Sequence, residues 1–142
     1  MALPLPPGGA THTIEVFAEH HVGMVRRHAQ ALALRLGFSE ARSCEVAICA
    51  TELATNILRH AGAGAVTLSH EMDGTRDVLV IESTDRGPGI ADVDRALEDG
   101  FSTGGGLGGG LPALRRLMDS VSVITGPGQG TRVVARKWRR AA

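Results

Sequence analysis

Two residues near the middle of the chain have side chains able to work as a pair on a nucleotide. They are Glu52 and Asn56, in E-L-A-T-N. Four apart in a helical pattern, they share one face, one turn above the other. A carboxylate there can take a proton from an attacking hydroxyl. An amide oxygen beside it can hold Mg²⁺ next to phosphates, since Mg²⁺ takes hard oxygen ligands and keeps several waters. The competing reading is a solvent-facing polar pair. A second group is D-R-G-P-G-I, Asp85 to Ile90. A carboxylate held at a strand end can accept a hydrogen bond from an exocyclic amine such as that of adenine. Aspartate is also common at turn starts. A third is S-T-G-G-G-L-G-G-G-L, Ser102 to Leu111, where six of ten residues are glycine. Glycine is costly to order, so such density asks for a reason. Bare backbone N–H groups leading into a helix N-terminus can close over phosphates, whereas a flexible linker is the plainer alternative. Thr131, after Gly130, can line the same pocket or serve as an ordinary strand threonine.

The elements that must position these groups follow from periodicity. Thr11 to Phe17 alternates as a strand, and as the first strand it is expected at an edge. Glu19 to Leu36 repeats Val22, Val25, Ala29, Leu32 and Leu36 at helical spacing and stops at Gly37. Ser39 caps a second helix running to about Ala61, ended by Gly62, with Val46, Cys49, Leu53 and Ile57 as its buried stripe. Strands are expected over Gly64–Glu71 and Val78–Ser83, joined at Asp73-Gly74 by a loop longer than two residues. A short helix over Ala91–Asp99 and another over Leu111–Met118 follow, Pro112 lying in the first turn of the latter. Val121–Thr125 and Thr131–Lys137 are the last strands, joined by G-P-G-Q-G. The order β-α-α-β-β-(α)-α-β-β predicts an α/β (α+β) two-layer sandwich, its sheet mixed and largely antiparallel with helices on one face.

Composition narrows the function classes. At 142 residues with zero formal charge, the chain is expected to be one domain over 11–142 after a disordered lead over 1–10. A neutral chain does not suit bulk nucleic-acid binding, and R-K-W-R-R near the C-terminus reads as a solvated tail. No apolar run is long enough to span a membrane, and the first residues lack a signal-peptide pattern, so a cytoplasmic protein is expected. Cys44 and Cys49, five apart in one predicted helix, read as small buried hydrophobes in a reducing compartment rather than a disulfide or zinc pair. The six histidines form no metal-ligand spacing; His60 and Arg59, about one turn beyond Asn56, can see phosphate. Lys137 is the only lysine, and the P-loop pattern G-x-x-x-x-G-K-[ST] is absent.

E-x-x-x-N on a long helix, D-x-G-x-G after a strand, a glycine loop opening a helix, and G-T before a last strand form an ordered set. Over about residues 13 to 138 it resembles the GHKL (Bergerat) ATP-binding fold shared by gyrase B, Hsp90, sensor histidine kinases and MutL. Glu98 to Asp119, E-D-G-F-S-T-G-G-G-L-G-G-G-L-P-A-L-R-R-L-M-D, and the later G-T-R-V-V-A-R-K-W-R look like the anti-sigma serine/threonine kinases, in particular the stressosome switch kinases (RsbT type). The resemblance implies that Glu52 is the general base activating a serine or threonine hydroxyl and that Asn56 binds Mg²⁺. Asp85 would recognise adenine, Gly87 and Gly89 would let the base approach, and Thr131 would support Asp85. ATP would also meet the loop Ser102, Thr103, Gly104, Gly105, Gly106, Leu107, Gly108, Gly109 and Gly110, with Gly106, Gly108 and Gly110 wrapping the phosphates and Phe101 and Leu107 anchoring the closed loop. Two positions depart from the family pattern. Gly109 stands where many members carry a bulky residue. No arginine stands just before the loop to meet the γ-phosphate, which leaves Arg59, Arg86 and Arg115 as candidates.

The function implied is an ATP- and Mg²⁺-dependent protein serine/threonine kinase of a partner-switching stress or sigma-factor pathway. Its substrates would be STAS-domain proteins, its second partner the regulatory region of a PP2C-type phosphatase, and it can form a homodimer; nucleic acid and membrane are not expected partners. A non-catalytic anti-sigma or partner-binding module gated by ATP is the alternative. A detached histidine-kinase domain would need a dimerisation hairpin bearing the phosphorylated histidine, for which only His28 offers a place, and a gyrase-like ATPase would need a lysine from a following domain.

Overall fold

A computed structural model describes residues 11–89, 110–126 and 128–140. The elements are β1 (Thr11–Val16), α1 (Glu19–Arg35), α2 (Glu40–His60), β2 (Gly64–Asp73), β3 (Arg76–Asp85), α3 (Gly110–Leu117), β4 (Ser120–Thr125) and β5 (Thr131–Trp138). The five strands form one sheet in the order β1-β2-β3-β5-β4, and all four pairings are antiparallel. The expected mixed, largely antiparallel sheet thus contains no parallel pair among the described residues. The expected helix over Ala91–Asp99, the lead over 1–10 and the glycine loop Ser102–Gly109 lie outside the described residues.

Alternation sets the two faces of the sheet. Ile14, Val16, Val66, Leu68, Leu79, Ile81, Val133 and Ala135 point to one face and join Val25, Leu32, Val46, Leu53, Ile57, Leu111 and Leu114 of the helices in one buried cluster. Val78, Val80 and Val134 point the other way and form a small second cluster with Trp138. β1 is an edge strand, as expected for the first strand.

Helix ends follow local chemistry. Ser39 Oγ accepts the Arg42 N–H at 3.1 Å and caps α2. Gly37 and Gly62 take φ of +91° and +82° just beyond the helix ends, where glycine carries no Cβ penalty. α1 is started differently: Ala18 has no capping side chain, and the Nδ1 of His21 accepts from the Phe17 and Ala18 N–H groups, each at 3.2 Å. His21 is therefore buried at a helix start rather than on the surface.

Three expectations are corrected. The β2–β3 loop holds two residues, not more: Asp73 pairs with Arg76, and Gly74 has φ +63° at the first central position, the geometry of a II′ hairpin. Cys44 is exposed, its sulfur 3.6 Å from Gln30 Nε2, and only Cys49 is buried. R-K-W-R-R is not a solvated tail. Lys137 is buried in β5, Trp138 N donates to Asp119, Arg139 pairs with Asp77 at 3.3 Å and Arg140 with Asp119 at 3.1 Å. Strand pairing as far as Trp138 and the Asp77 and Asp119 carboxylates tie this stretch to the sheet, although Arg140 itself stays exposed.

Candidate nucleotide site

The register brings one row of predicted residues together at one end of the sheet. Gly64 pairs with Asp85, Asp85 with Thr131, and Thr131 with Thr125. Directly opposed residues share a face, so Asp85, Thr131 and Thr125 project to the helix side. Asp85 Oδ1 accepts the Gly87 N–H at 2.8 Å, an Asx turn that fixes the carboxylate as the chain leaves β3. Thr125 Oγ1 donates to the Gly130 carbonyl at 2.7 Å and lies 3.1 Å from Thr131 Oγ1. The carboxylate and two hydroxyls thus occupy neighbouring positions on one sheet face.

Glycine is required here by close approach. A Cβ on Gly130 (φ +76°) would sit 2.2 Å from the Asp85 carbonyl, and one on Gly89 (φ +79°) 2.0 Å from the Gly126 carbonyl. A Cβ on Gly87 would sit 2.8 Å from Ala61 Cβ, so the Asp85 turn rests on the end of α2. Gly128 N donates to the Pro88 carbonyl at 2.6 Å and ties the Asp85 turn to the β4–β5 loop. Replacing Gly130 by alanine will lower the free energy of unfolding by roughly 1–3 kcal/mol, the cost of a strained φ, with the clash adding to it. Urea unfolding will measure it; an unchanged midpoint would contradict this packing.

α2 supplies the other wall. Glu52, Asn56 and His60 recur every four residues and lie about 6 Å apart along the axis. Glu52 and Asn56 are half-buried at the rim of the stripe formed by buried Leu53 and Ile57. His60 senses the sheet end. Partial desolvation lowers its pKa first, the Arg59 guanidinium lowers it further, and the Asp85 carboxylate opposes both. Asp85 meets the last turn of α2, since a Cβ on Gly64 would touch both Ile57 and Asp85 and one on Gly87 would touch Ala61; from that end the helix carries Asn56, then Glu52. Burial pushes the Cys49 thiol up to about 12, which makes it an inert core residue beside this face.

The pKa of His28 is lowered too, by desolvation, then by His12, whose ring stacks on it at 4.8 Å, and by Arg27 and Arg35. For His28 and His60 the folded pKa lies below the unfolded value of 6.5. Above that pH both states are neutral and nothing is lost. As pH falls below 6.5 the unfolded chain takes protons first, so stability declines. Much of each ring meets solvent, so the decline is shallow. The thermal midpoint will fall between pH 7 and pH 5 and fall less in His28→Gln; equal slopes would contradict the assignment.

The sequence-predicted residues divide into three groups. Glu52, Asn56, Asp85, Gly87, Gly89 and Thr131 stand on α2 and on the sheet end beside its last turn. Gly110 is the first residue of α3. Ser102, Thr103, Gly104, Gly105, Gly106, Leu107, Gly108 and Gly109, with Phe101, lie outside the described residues. Of the candidate cations, Arg59, Arg86 and Arg115 are all exposed. Arg59 lines an open cavity of about 580 Å³ between α1 and α2 with Glu19, Val22, Gly23, Thr55 and Leu58. Thr125 and Gly64 were missed. Gly64 has no room for a side chain, since a Cβ would meet the Thr84 carbonyl at 2.4 Å and Ile57 at 2.9 Å. The signal for Thr125 is its place opposite Thr131 across the G-P-G-Q-G loop.

A profile of the histidine kinase-like ATPase domain matches residues 17–137. The chain is 38% identical over 127 residues to a Bacillus subtilis (strain 168) protein named serine/threonine-protein kinase RsbT, covering 89% of this chain and 96% of that protein. Among solved structures it resembles the catalytic domain of the histidine kinase ThkA, with TM-score 0.51 and 13% identity over 90% of this chain and 96% of that one. It also resembles the mycobacterial sensor histidine kinase MprB, with TM-score 0.53 and 17% identity over 94% of this chain and all of that one. The two structural likenesses bear on the fold.

Proposed function

The chain belongs to the histidine kinase-like ATPase domain family, and from that premise we propose that it is a serine/threonine kinase that passes the γ-phosphoryl group of ATP to a partner protein in a partner-switching pathway. The observation that carries the reading is the order of groups along α2. Asp85 stands at the sheet end with Thr131 and Thr125 on its flank and would accept from the adenine amine. Asn56 follows one turn away, and Glu52 a further turn on, where a hydroxyl substrate would meet the γ-phosphate. Identity to a protein named as a serine/threonine kinase supports the transfer itself.

Each residue has a task in this scheme. Asp85 orients the base, and Gly87 and Gly89 leave it room. Gly106, Gly108 and Gly110, with the rest of Ser102–Gly109, surround the phosphates. Glu52 takes the proton of the attacking serine or threonine, while positioning and charge stabilisation supply the remainder of catalysis. Asn56 is half-exposed on α2, and no group of three or more His, Cys, Asp or Glu suited to a metal exists among the described residues. That donor set fits Mg²⁺ held by one amide oxygen, phosphates and water. Bound there, Mg²⁺ would neutralise charge on the phosphates.

The substrate class proposed is STAS-domain proteins, with a PP2C-type phosphatase regulatory region as the second partner and a homodimer as the assembly. A cytoplasmic location and a single domain over 11–142 belong to the same proposal; no helix among the described residues is long and apolar enough to cross a membrane. ATP titrations with and without Mg²⁺ test the site. Wild type will bind more tightly with Mg²⁺, and Asn56→Ala will lose that difference. A magnesium effect of equal size in both proteins would contradict the role given to Asn56.

A further inference from the structure

The only lysine in a chain whose other basic side chains, histidine aside, are all arginine is also one of the few buried charges among the described residues. Lys137 projects from the inner face of β5, 4% exposed. Its Nζ donates to the carbonyl of Leu117, the last residue of α3, and lies 3.6 Å from Glu45 Oε2 on α2. An ammonium at a helix C-terminus meets carbonyls that have no partner within the helix and the negative end of its dipole. A compact ammonium can serve one carbonyl and one carboxylate in a narrow slot, where a planar guanidinium would need more width and more acceptors.

The slot joins three elements. α3 buries Leu111, Pro112, Ala113 and Leu114, and Leu111 and Leu114 belong to the same cluster as Leu53 and Ile57 of α2. Leu53 and Ile57 adjoin Glu52 and Asn56 in sequence. α3 begins at Gly110, one of the residues proposed to meet phosphate. The placement of α3 against α2 therefore sets where Gly110 stands relative to Asn56. Apolar packing alone lets a helix of eight residues slide or rotate; a buried ammonium bonded to the helix end and paired with a partly exposed carboxylate fixes one arrangement, the registry role for which buried charges are best attested. We propose that Lys137, with Glu45, is a positioning residue that locks α3 onto α2 and thereby sets the affinity for ATP. It acts from the far end of α3, without touching the nucleotide. The inference rests on the kinase reading.

The test uses the full chain with Mg-ATP as the probe. Lys137→Met keeps side-chain length and removes the charge. Glu45→Gln, at a residue a third exposed, keeps the fold if Lys137→Met fails to express. Val134→Ala, on the opposite face of the sheet, serves as a destabilised control. In both slot variants the dissociation constant for ATP will rise roughly fivefold, about 1 kcal/mol of coupling. Amides of Leu114 to Met118 will exchange faster without nucleotide, and Val134→Ala will leave ATP affinity unchanged. Unchanged exchange in α3, or faster exchange with wild-type ATP affinity, would overturn the proposal. An equal loss of affinity in Val134→Ala would also overturn it. Wild-type protein that binds no ATP overturns the kinase reading instead, and that result is visible before any variant is made.

Discussion

Glu52→Gln will remove phosphoryl transfer while leaving ATP bound. The substitution keeps the shape of the side chain and its place at the rim of α2, two turns from His60 and one from Asn56. It replaces the basic carboxylate that accepts the hydroxyl proton with a non-basic amide. General-base contributions run to about 10²–10⁴-fold, so the transfer rate will fall by that order. ATP affinity will change by less than about twofold, because the base acts on the protein substrate and not on the nucleotide. Single-turnover transfer with labelled ATP, beside an equilibrium ATP titration, separates the two. Loss of ATP binding in parallel with loss of transfer would contradict the role; retained transfer would hand the proton to another group.

Asp85→Asn will do the reverse and act on binding. The Asp85 carboxylate is oriented by the Gly87 N–H at 2.8 Å. An asparagine can keep that bond through its amide oxygen, but it then turns an NH₂ toward the base. A donor would face the adenine amine, itself a donor. Hydrogen bonds to charged groups contribute about 1.5–3 kcal/mol, so ATP affinity will fall roughly 10- to 150-fold. Unchanged affinity with the fold intact would contradict the adenine assignment. Discrimination between ATP and GTP will narrow in the same variant, since on the proposed assignment that carboxylate reads the exocyclic amine.

The two residues differ in how far the chain announces them. Helix α2 was legible end to end: Ser39 caps it, the stripe Val46–Cys49–Leu53–Ile57 runs down it, and Gly62 with φ +82° follows its end. Glu52 and Asn56 needed only that period to share a face. The sheet end was legible in parts. Asp85 and Thr131 could each be picked out, but their pairing comes from β3 and β5 lying side by side across an intervening helix and strand. No local pattern encodes which strand neighbours which. Thr125 was missed although its signal is local, since it stands opposite Thr131 across the loop that joins the consecutive strands β4 and β5. Lys137 was hidden by composition: R-K-W-R-R reads as surface. Strand parity tells otherwise, because Val133, Ala135 and Lys137 alternate inward together within the strand already expected over Thr131–Lys137. The hairpin at Asp73 was read one step too loose because both strands run two residues further than their apolar alternation.

The kinase assignment is tested most directly by transfer itself. Wild-type protein is incubated with γ-labelled ATP, Mg²⁺ and a STAS-domain protein, and the product is analysed for phosphoserine and phosphothreonine. The account predicts label on serine or threonine of the STAS protein, dependent on Mg²⁺ and absent with Glu52→Gln. ATP bound at full occupancy with no label on any serine or threonine would contradict it and make the protein an ATP-gated binding module.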